Sequence, residues 1–400
     1  MEKSLIYHIY WGTSGNSGLY LHEIYNTLNR AGFQQRAFVN HYYPFNYGDK
    51  IFFKKGDVAH SKYKGNVRKL IQLFEVFKGF GKILLSSYNE QPQVINYSNV
   101  GTSYFFIPLF LRLLRYVSNA KIVITCHDVL PFSDNIGDMN NRRKIFNIAD
   151  YLLVHTDSSE NDLVKVFNIK QTKIIKHPFP IMDLNLLTIK SENLFSKMDF
   201  LFIGHLRKDK GIMLLLDAWK DFHTVCPQAT LRVCGRKLPG VEIDEEYLKK
   251  CNVDFHLHFI SDDDYYHYIK ASRYVVLPYT FGTNSGIIST VLSLGTEVIT
   301  SDLPMFSENP LVAKDNIFKT ADKSALVSIL QKKYFEQCSL VNERIGHYRK
   351  NFEQEVLSVY NYLLGNICSW GGWIKRRASI SYKFAAVVCP RYNDYRRAAA

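Results

Sequence analysis

Two cations in one short loop are the first residues that could do chemistry. Arg207 and Lys210 lie within Gly204–Gly211, which joins the apolar run Phe200–Ile203 to a helical repeat starting at Ile212. Cations at the start of a helix suit a diphosphate, because their charge and the helix dipole act in the same sense. A solvated basic loop without a ligand is the other interpretation.

Two further loops carry small residues between a strand-like run and a helical repeat. They are Trp11–Gly18, with glycines spaced G-x-x-G-x-x-G, and Pro278–Ile287. Small residues let backbone N–H groups approach an anion. The spacing is not G-x-G-x-x-G, and the next strand ends in Asn40-His41 without an acidic residue, which disfavours a nicotinamide dinucleotide site. Tight turns, with Ser285 as an ordinary helix cap, are the alternative.

The remaining polar clusters can each be interpreted in two ways. His127-Asp128 follows an apolar strand and is either a catalytic base with its orienting acid or a part of the core. Asp262–Asp264 could hold a metal, but Ser261 before them predicts a helix cap with an acidic first turn. His256 and His258 alternate on a strand without an evident third ligand, so we predict no metal site.

The elements that position these residues alternate along the chain. Strand-like and helical patterns follow one another from Leu5 to Lys176 and restart from Phe200 to Ser301. Such alternation predicts an α/β fold of two Rossmann-like, doubly wound domains, with ligands in the cleft beyond the strand carboxyl ends. The predicted ranges are 1–180 for the N-terminal domain, 181–197 for a linker, 198–365 for the C-terminal domain and 366–400 for a helical segment.

The order of these motifs resembles the retaining glycosyltransferases of the GT-B fold, in particular glycosyltransferase family 4. The resemblance is strongest over residues 198–310 and extends more weakly to the N-terminal loop and to Thr125–Asp128. It implies that the N-terminal domain is the acceptor-side domain, that the C-terminal domain binds the nucleotide-sugar donor, and that the segment 366–400 returns to the N-terminal domain. It further implies a nucleotide-sugar donor as substrate, no cofactor and no metal. It also implies a front-face transfer in which the leaving diphosphate accepts the acceptor's proton, so that the protein needs only to stabilise negative charge.

The resemblance also implies roles for individual residues. The catalytic set is His127, Arg207 and Lys210, and the donor-binding set is Gly15, Asn16, Ser17, Gly235, Arg236, Asn284, Ser285, Gly286 and Ile287. One departure concerns the family's Glu-x7-Glu pair, whose positions fall on Gly282 and Thr290 here, so recognition by those carboxylates is excluded. Another is His205, which stands where an arginine often follows the strand glycine, and whose role Arg207 can take.

The charge distribution suggests partners. The net charge is +13 overall, with +9 on residues 1–180, −2 on residues 198–365 and +6 on the last 35 residues. No nucleic-acid-binding motif accompanies this charge, so an anionic membrane surface is favoured over nucleic acid. Aromatic residues interleave the basic stretch Lys50–Lys69, and Tyr104–Val117 is either a buried helix or an interfacial one.

We therefore predict a glycosyltransferase that moves a sugar to a glycan or lipid-linked acceptor during surface polysaccharide synthesis. Seven cysteines without C-x-x-C spacing, no visible signal peptide and no long apolar run predict a cytoplasmic protein, peripheral on the inner face of the membrane. The alternative is a catalytically silent nucleotide-sugar-binding or scaffold subunit of a glycan-assembly complex.

Overall fold

The computed structural model describes residues 4–12, 16–58, 60–99, 105–130, 136–181, 196–282, 286–336 and 341–365. Strands of the N-terminal half are β1 (Leu5–Tyr10), β2 (Gln34–Asn40), β3 (Asp49–Phe52), β4 (Val94–Asn99), β5 (Lys121–Cys126), β6 (Tyr151–Val154) and β7 (Ile174–Lys176). Its helices are α1 (Asn16–Arg30), α2 (Gly65–Glu90), α3 (Ile107–Ser118), α4 (Ile136–Ile148) and α5 (Asp157–Lys165).

The C-terminal half repeats the alternation. Its strands are β8 (Met198–Ile203), β9 (Leu231–Cys234), β10 (Val253–His256), β11 (Ser272–Leu277), β12 (Glu297–Ser301) and β13 (Ile317–Phe318). Its helices are α6 (Ile212–Val225), α7 (Glu245–Lys250), α8 (Asp262–Lys270), α9 (Ile287–Ser293), α10 (Pro304–Ser307), α11 (Lys323–Phe335) and α12 (Val341–Leu363). Within the described ranges, none of the helices combines the length and the apolar character that a membrane span requires.

Two parallel sheets organise the molecule. The first has the order β3-β2-β1-β4-β5-β6-β7 and the second the order β10-β9-β8-β11-β12-β13. All pairings between neighbouring strands are parallel, so the carboxyl ends of the strands in each sheet lie at the same edge. The strand order reverses between β1 and β4 and between β8 and β11, and these switch points are where such sheets bind ligands. The predicted α/β class with two doubly wound sheets is confirmed.

The strands of the first sheet are apolar at nearly every position, and successive side chains point to opposite faces of the sheet. Helices therefore cover the sheet on both faces. Tyr7, Ile9 and their neighbours pack under α2 to α5, in a core that includes Phe80 and Phe110. The opposite face, including Ile6, packs under α1 and the end of α12. The strand β3, with Asp49 and Lys50 in only four residues, was not anticipated from the sequence.

Helix α12 connects the two halves. At its start Arg344 forms an ion pair with the buried Glu297 of β12. Near its end Tyr360 accepts a hydrogen bond from Nδ2 of Asn96 on β4 at 2.9 Å, and Lys121 donates to the Leu363 carbonyl at 2.7 Å. The return to the N-terminal sheet is thus made inside the range 198–365 that we assigned to the C-terminal domain. The predicted returning segment 366–400 lies outside the described residues.

The contact between Tyr360 and Asn96 provides a test of this packing. Tyr360→Phe removes the acceptor and leaves a buried amide donor unsatisfied, so we expect a loss of about 1–3 kcal/mol in the free energy of unfolding. Tyr362→Phe is the control, because that half-buried hydroxyl pairs at 3.2 Å with Tyr151. Urea unfolding of both variants makes the comparison, and equal losses would contradict the assigned role of Tyr360.

Candidate functional site

The loop Gly204–Gly211 lies at the switch point of the second sheet, between the loops that follow β9 and β11. On one side Leu206 N–H donates to the Arg236 carbonyl at 3.0 Å. On the other side Thr280 N–H donates to the Asp209 carbonyl at 2.8 Å. These bonds hold three loops in one layer at the carboxyl ends of adjacent strands.

Glycines make this close approach of the backbone possible. Gly211 has a φ of +67°, and a Cβ there would lie 1.7 Å from the Pro278 carbonyl oxygen. Gly235 has a φ of +133°, and a Cβ there would lie 1.9 Å from the Gly204 carbonyl oxygen. Any other residue would separate the loops, so these positions require glycine on both steric and conformational grounds.

Arg207 and Lys210 extend from this layer with different partners. Arg207 makes a bidentate pair with Asp209, from Nε to Oδ1 at 2.8 Å and from Nη2 to Oδ2 at 2.5 Å. These hydrogen bonds raise the pKa of Arg207, so its charge is retained at every relevant pH. The Lys210 ammonium lies 5.2 Å from the ring centroid of Tyr279, a cation–π distance. Gly211 then begins α6, whose first N–H groups face the same edge.

The other predicted donor-binding residues of this half lie on the flanking loops. Gly235 and Arg236 directly follow β9, and Gly286 and Ile287 stand at the start of α9. Asn284 and Ser285 lie outside the described residues. Thr290, at one of the two substituted glutamate positions, is buried in α9.

The first sheet offers its own loop at the equivalent switch point. Asn16 and Ser17 open α1 immediately after the loop that follows β1, and Gly15 lies outside the described residues. The carbonyl of Gly18 accepts a hydrogen bond from the Tyr43 hydroxyl at 3.0 Å. This bond joins the first turn of α1 to the loop that follows β2.

His127 belongs to a buried aromatic cluster at the same edge of the first sheet. It follows β5 and is only 5% exposed, with its ring centroid 4.9 Å from that of Tyr20 on α1 and 5.5 Å from that of His155. The Tyr20 hydroxyl and Nε2 of His177 are 2.7 Å apart. The Phe179 ring completes the group, 5.1 Å from His155.

The cluster keeps the imidazoles of His127 and His155 neutral. Burial lowers the pKa of His155 to about 4. Burial, reinforced by the neighbouring His155, lowers the pKa of His127 well below its usual range. His127 can therefore act near pH 7 as a neutral hydrogen-bonding group but not as a cation.

Several partners of the predicted residues were missed from the sequence. His155 and His177 directly follow β6 and β7, as His127 follows β5, and this repetition was a readable signal. The pairings of Asp209 and Tyr279 had no such signal, because they depend on side-chain direction.

The capping interpretation of Asp262–Asp264 is confirmed, since Ser261 Oγ accepts from the Asp264 N–H at 3.1 Å. In the described part of the chain, no three His, Cys, Asp or Glu side chains are grouped as metal ligands would be.

Comparison with solved structures identifies the fold. Sucrose-phosphate synthase from Thermosynechococcus elongatus is similar at a TM-score of 0.59 and 16% identity, over 94% of this chain and 100% of that one. The catalytic domain of starch synthase IV from Arabidopsis thaliana, bound to ADP and acarbose, gives 0.58 and 12% over 96% and 100%. An E. coli structure described as "Trehalose-6-phosphate … bound with UDP-2-fluoro glucose" gives 0.54 and 11% over 90% and 96%. At these identities the likeness establishes the fold, which is GT-B.

A family model identifies the domain in the C-terminal half. Residues 197–332 match the family model "Glycosyl transferases group 1", and these residues include the whole layer of loops around Arg207 and Lys210. No curated protein matches the sequence. The chain thus has the GT-B fold, and its C-terminal half carries a glycosyl transferases group 1 domain. Membership of family 4 in particular stays a prediction.

The close approach at Gly211 can be tested by adding one methyl group. Gly211→Ala forces the loop away from Pro278, whereas Gly240→Ala has the same left-handed backbone but meets only the Lys208 side chain, at 3.3 Å. We expect Gly240→Ala to cost about 1–2 kcal/mol of unfolding free energy and Gly211→Ala clearly more. Urea unfolding measures both variants, and an equal cost would mean that the contact with Pro278 is not limiting.

The buried histidines predict a pH dependence of stability. Below about pH 6.5 the unfolded chain binds protons that folded His155 and His8, each with its pKa lowered by burial to about 4, cannot bind. The free energy of unfolding should therefore fall as the pH decreases from 6.5 towards 4, by up to roughly 3 kcal/mol per histidine. Urea unfolding across this window measures the slope.

The slope should be shallower in His155→Gln than in the wild type, because one of the groups responsible has been removed. His258→Gln provides the matched control, since His258 is exposed. A slope that is unchanged by His155→Gln would show that the cluster is not its source.

Proposed function

We propose that the protein transfers a sugar from a nucleoside-diphosphate sugar to a glycan or lipid-linked acceptor, with retention of anomeric configuration and without a metal. The observation that carries the proposal is the placement of Arg207 and Lys210 in a glycine-dependent loop at the switch point of the group 1 domain. Two cations and the start of α6 meet there, as binding of a diphosphate requires. The starch synthase IV structure contains ADP, which supports the same ligand class.

In the proposed reaction the bond between the anomeric carbon and the diphosphate oxygen breaks while a bond to the acceptor oxygen forms on the same face. The acceptor's proton passes to the departing diphosphate oxygen, so no protein nucleophile is needed. The enzyme's contribution is stabilisation of the charge on the leaving group. Arg207 suits this role because Asp209 holds Nε and Nη2 and thereby orients the guanidinium, whose Nη1 makes no hydrogen bond to the described residues.

The remaining predicted residues have supporting roles in this proposal. His127 would interact with the transferred sugar as a neutral group, and the segment Gly15–Ser17 would lie beside the sugar and phosphates. Gly235, Arg236 and the segment Asn284–Ile287 would contact the nucleotide. We assign the reaction to surface polysaccharide synthesis by an enzyme peripheral to the inner face of the membrane, where a lipid-linked acceptor would be reached.

A second candidate is a catalytically silent subunit that binds a nucleotide sugar. It is favoured by the absence of carboxylates at Gly282 and Thr290, where related enzymes often recognise the donor. The two candidates differ in turnover rather than in binding. Binding of nucleotide sugars without transfer or hydrolysis against a panel of acceptors would support the silent subunit.

Lys210→Ala tests the proposed chemistry. Loss of one cation from the leaving-group site should lower turnover by about 10²–10³-fold, the effect of removing one oxyanion-stabilising group. Release of nucleoside diphosphate from a panel of nucleotide sugars measures the rate, and a thermal-shift screen first identifies the base that binds.

The matched control is Lys208→Ala, an exposed lysine in the same turn, which should retain the wild-type rate. The far-ultraviolet circular dichroism spectrum checks that both variants are folded. Near-normal turnover by Lys210→Ala would rule out its assigned role.

A further inference from the structure

Helix α2 is apolar on its outer as well as its inner side. Inward, Val76, Phe80 and Ile83 are buried in the core of the first sheet. Outward, a stripe at helical spacing is 52–69% exposed and consists of Val67, Leu70, Phe74, Phe77, Leu85 and Tyr88. The outer face of a surface helix is normally polar, so this stripe needs an explanation.

Helix α3 repeats the feature. Its inner side buries Phe110, Leu111 and Leu114. Phe105 immediately before it, and Leu109, Leu113 and Tyr116 on its outer side, are 41–88% exposed. Counting Leu73, α2 carries seven exposed large apolar residues, and α3 carries three besides Phe105, which makes eleven of the twenty in the described part of the chain.

The two stripes form one surface because the helices are neighbours on the same side of the sheet. The rings of Phe80 and Phe110 stack at 3.7 Å between centroids, and those of Phe77 and Phe106 lie 5.2 Å apart. Each stripe is opposite its helix's buried side, so both face outward together. We call these exposed residues of α2 and α3 the α2–α3 apolar face.

Cations border this face on its two outer edges. With about 100° per residue, Lys78 and Lys82 fall on the edge of the α2 stripe that is away from α3. By the same rule, Arg112 falls on the edge of the α3 stripe that is away from α2. All three of these side chains are exposed.

The acidic residues of the two helices do not offset this charge. Glu75 accepts the backbone N–H groups of Lys55 and Gly56, both at 2.9 Å. Glu90 forms an ion pair with Arg36 and accepts from the Tyr7 hydroxyl. Helix α3 contains no acidic residue. The edges of the face therefore present a net positive charge to a partner.

We infer that the α2–α3 apolar face docks into the surface of an anionic lipid bilayer. An apolar centre of phenylalanine and leucine suits the acyl boundary, and flanking cations suit headgroup phosphates at the level above it. Charge selects a bilayer over a second copy of this chain, since two copies would bring like-charged edges together. The inference rests on the proposed function only for its purpose, which is access to a lipid-linked acceptor.

The position of the face agrees with that purpose. Helix α3 starts soon after β4 ends at Asn99, so its first turn lies at the carboxyl edge of the sheet, next to the switch point between β1 and β4. Phe105, at this end, is 77% exposed. A bilayer on the α2–α3 apolar face would thus lie beside the cleft opening.

The test is co-sedimentation of the full chain with phosphatidylcholine vesicles, with and without phosphatidylglycerol. The wild type should bind the anionic vesicles and release them at high salt. The triple variant L70S/F74S/L109S should bind at least tenfold more weakly, because these exposed groups supply the insertion. The control V225S/F259S/F335S removes exposed apolar residues elsewhere and should bind like the wild type.

A second pair tests the cations. K78E/K82E should lose binding to anionic vesicles, whereas K249E/K250E on α7 should not. Wild-type binding by L70S/F74S/L109S, or no wild-type binding to any vesicle, would overturn the inference. So would a dimer in analytical ultracentrifugation that this triple variant dissociates, since a second copy would then occupy the face.

Turnover with a water-soluble acceptor separates the inference from the proposed function. The triple variant should keep the wild-type rate, because none of its positions lies in the donor site. A wild type that binds vesicles but never turns over any donor would defeat the proposed function and leave the docking surface standing.

Discussion

The arrangement of the site depends on the backbone contact among the loops that follow β8, β9 and β11. Gly211 and Gly235 allow these loops to meet where no side chain could fit. The parallel register of β8 with both neighbours fixes the heights at which the loops leave the sheet. Arg207 and Lys210 are directed to the switch point because of this contact, and the diphosphate site we propose would not exist without it.

Much of the C-terminal half was predictable because the local sequence patterns for strands, loops and helices agreed with one another. An apolar strand, a basic loop and a helical repeat stood in order, and the topology then placed them at an edge that parallel sheets use for ligands. The same logic identified the helix cap at Ser261. The sequence could not reveal contacts that depend on the direction of side chains rather than on the order of motifs along the chain. The pairing of Arg207 with Asp209 is one of these contacts. Sequence reasoning did not anticipate that α12 reaches the N-terminal sheet, because apolar side chains alone do not show which sheet they will cover.

The histidine cluster limits the chemistry that the predicted residue His127 can perform, because it keeps that residue buried and uncharged. His127 was open to two interpretations, a group of the site or of the core, and the structure gives it features of both. It stands at the ligand edge of the sheet, yet Tyr20 and His155 surround it and burial keeps it uncharged. Since Tyr348 of α12 donates to the Phe179 carbonyl at 2.8 Å, the cluster is also joined to the helix that links the two halves.

That helix has a mechanical consequence. Arg344 anchors α12 to the second sheet and Tyr360 anchors it to the first, about 24 Å further along at 1.5 Å per residue. A change in the angle between the two sheets would therefore have to bend this one helix or break one of its two contacts.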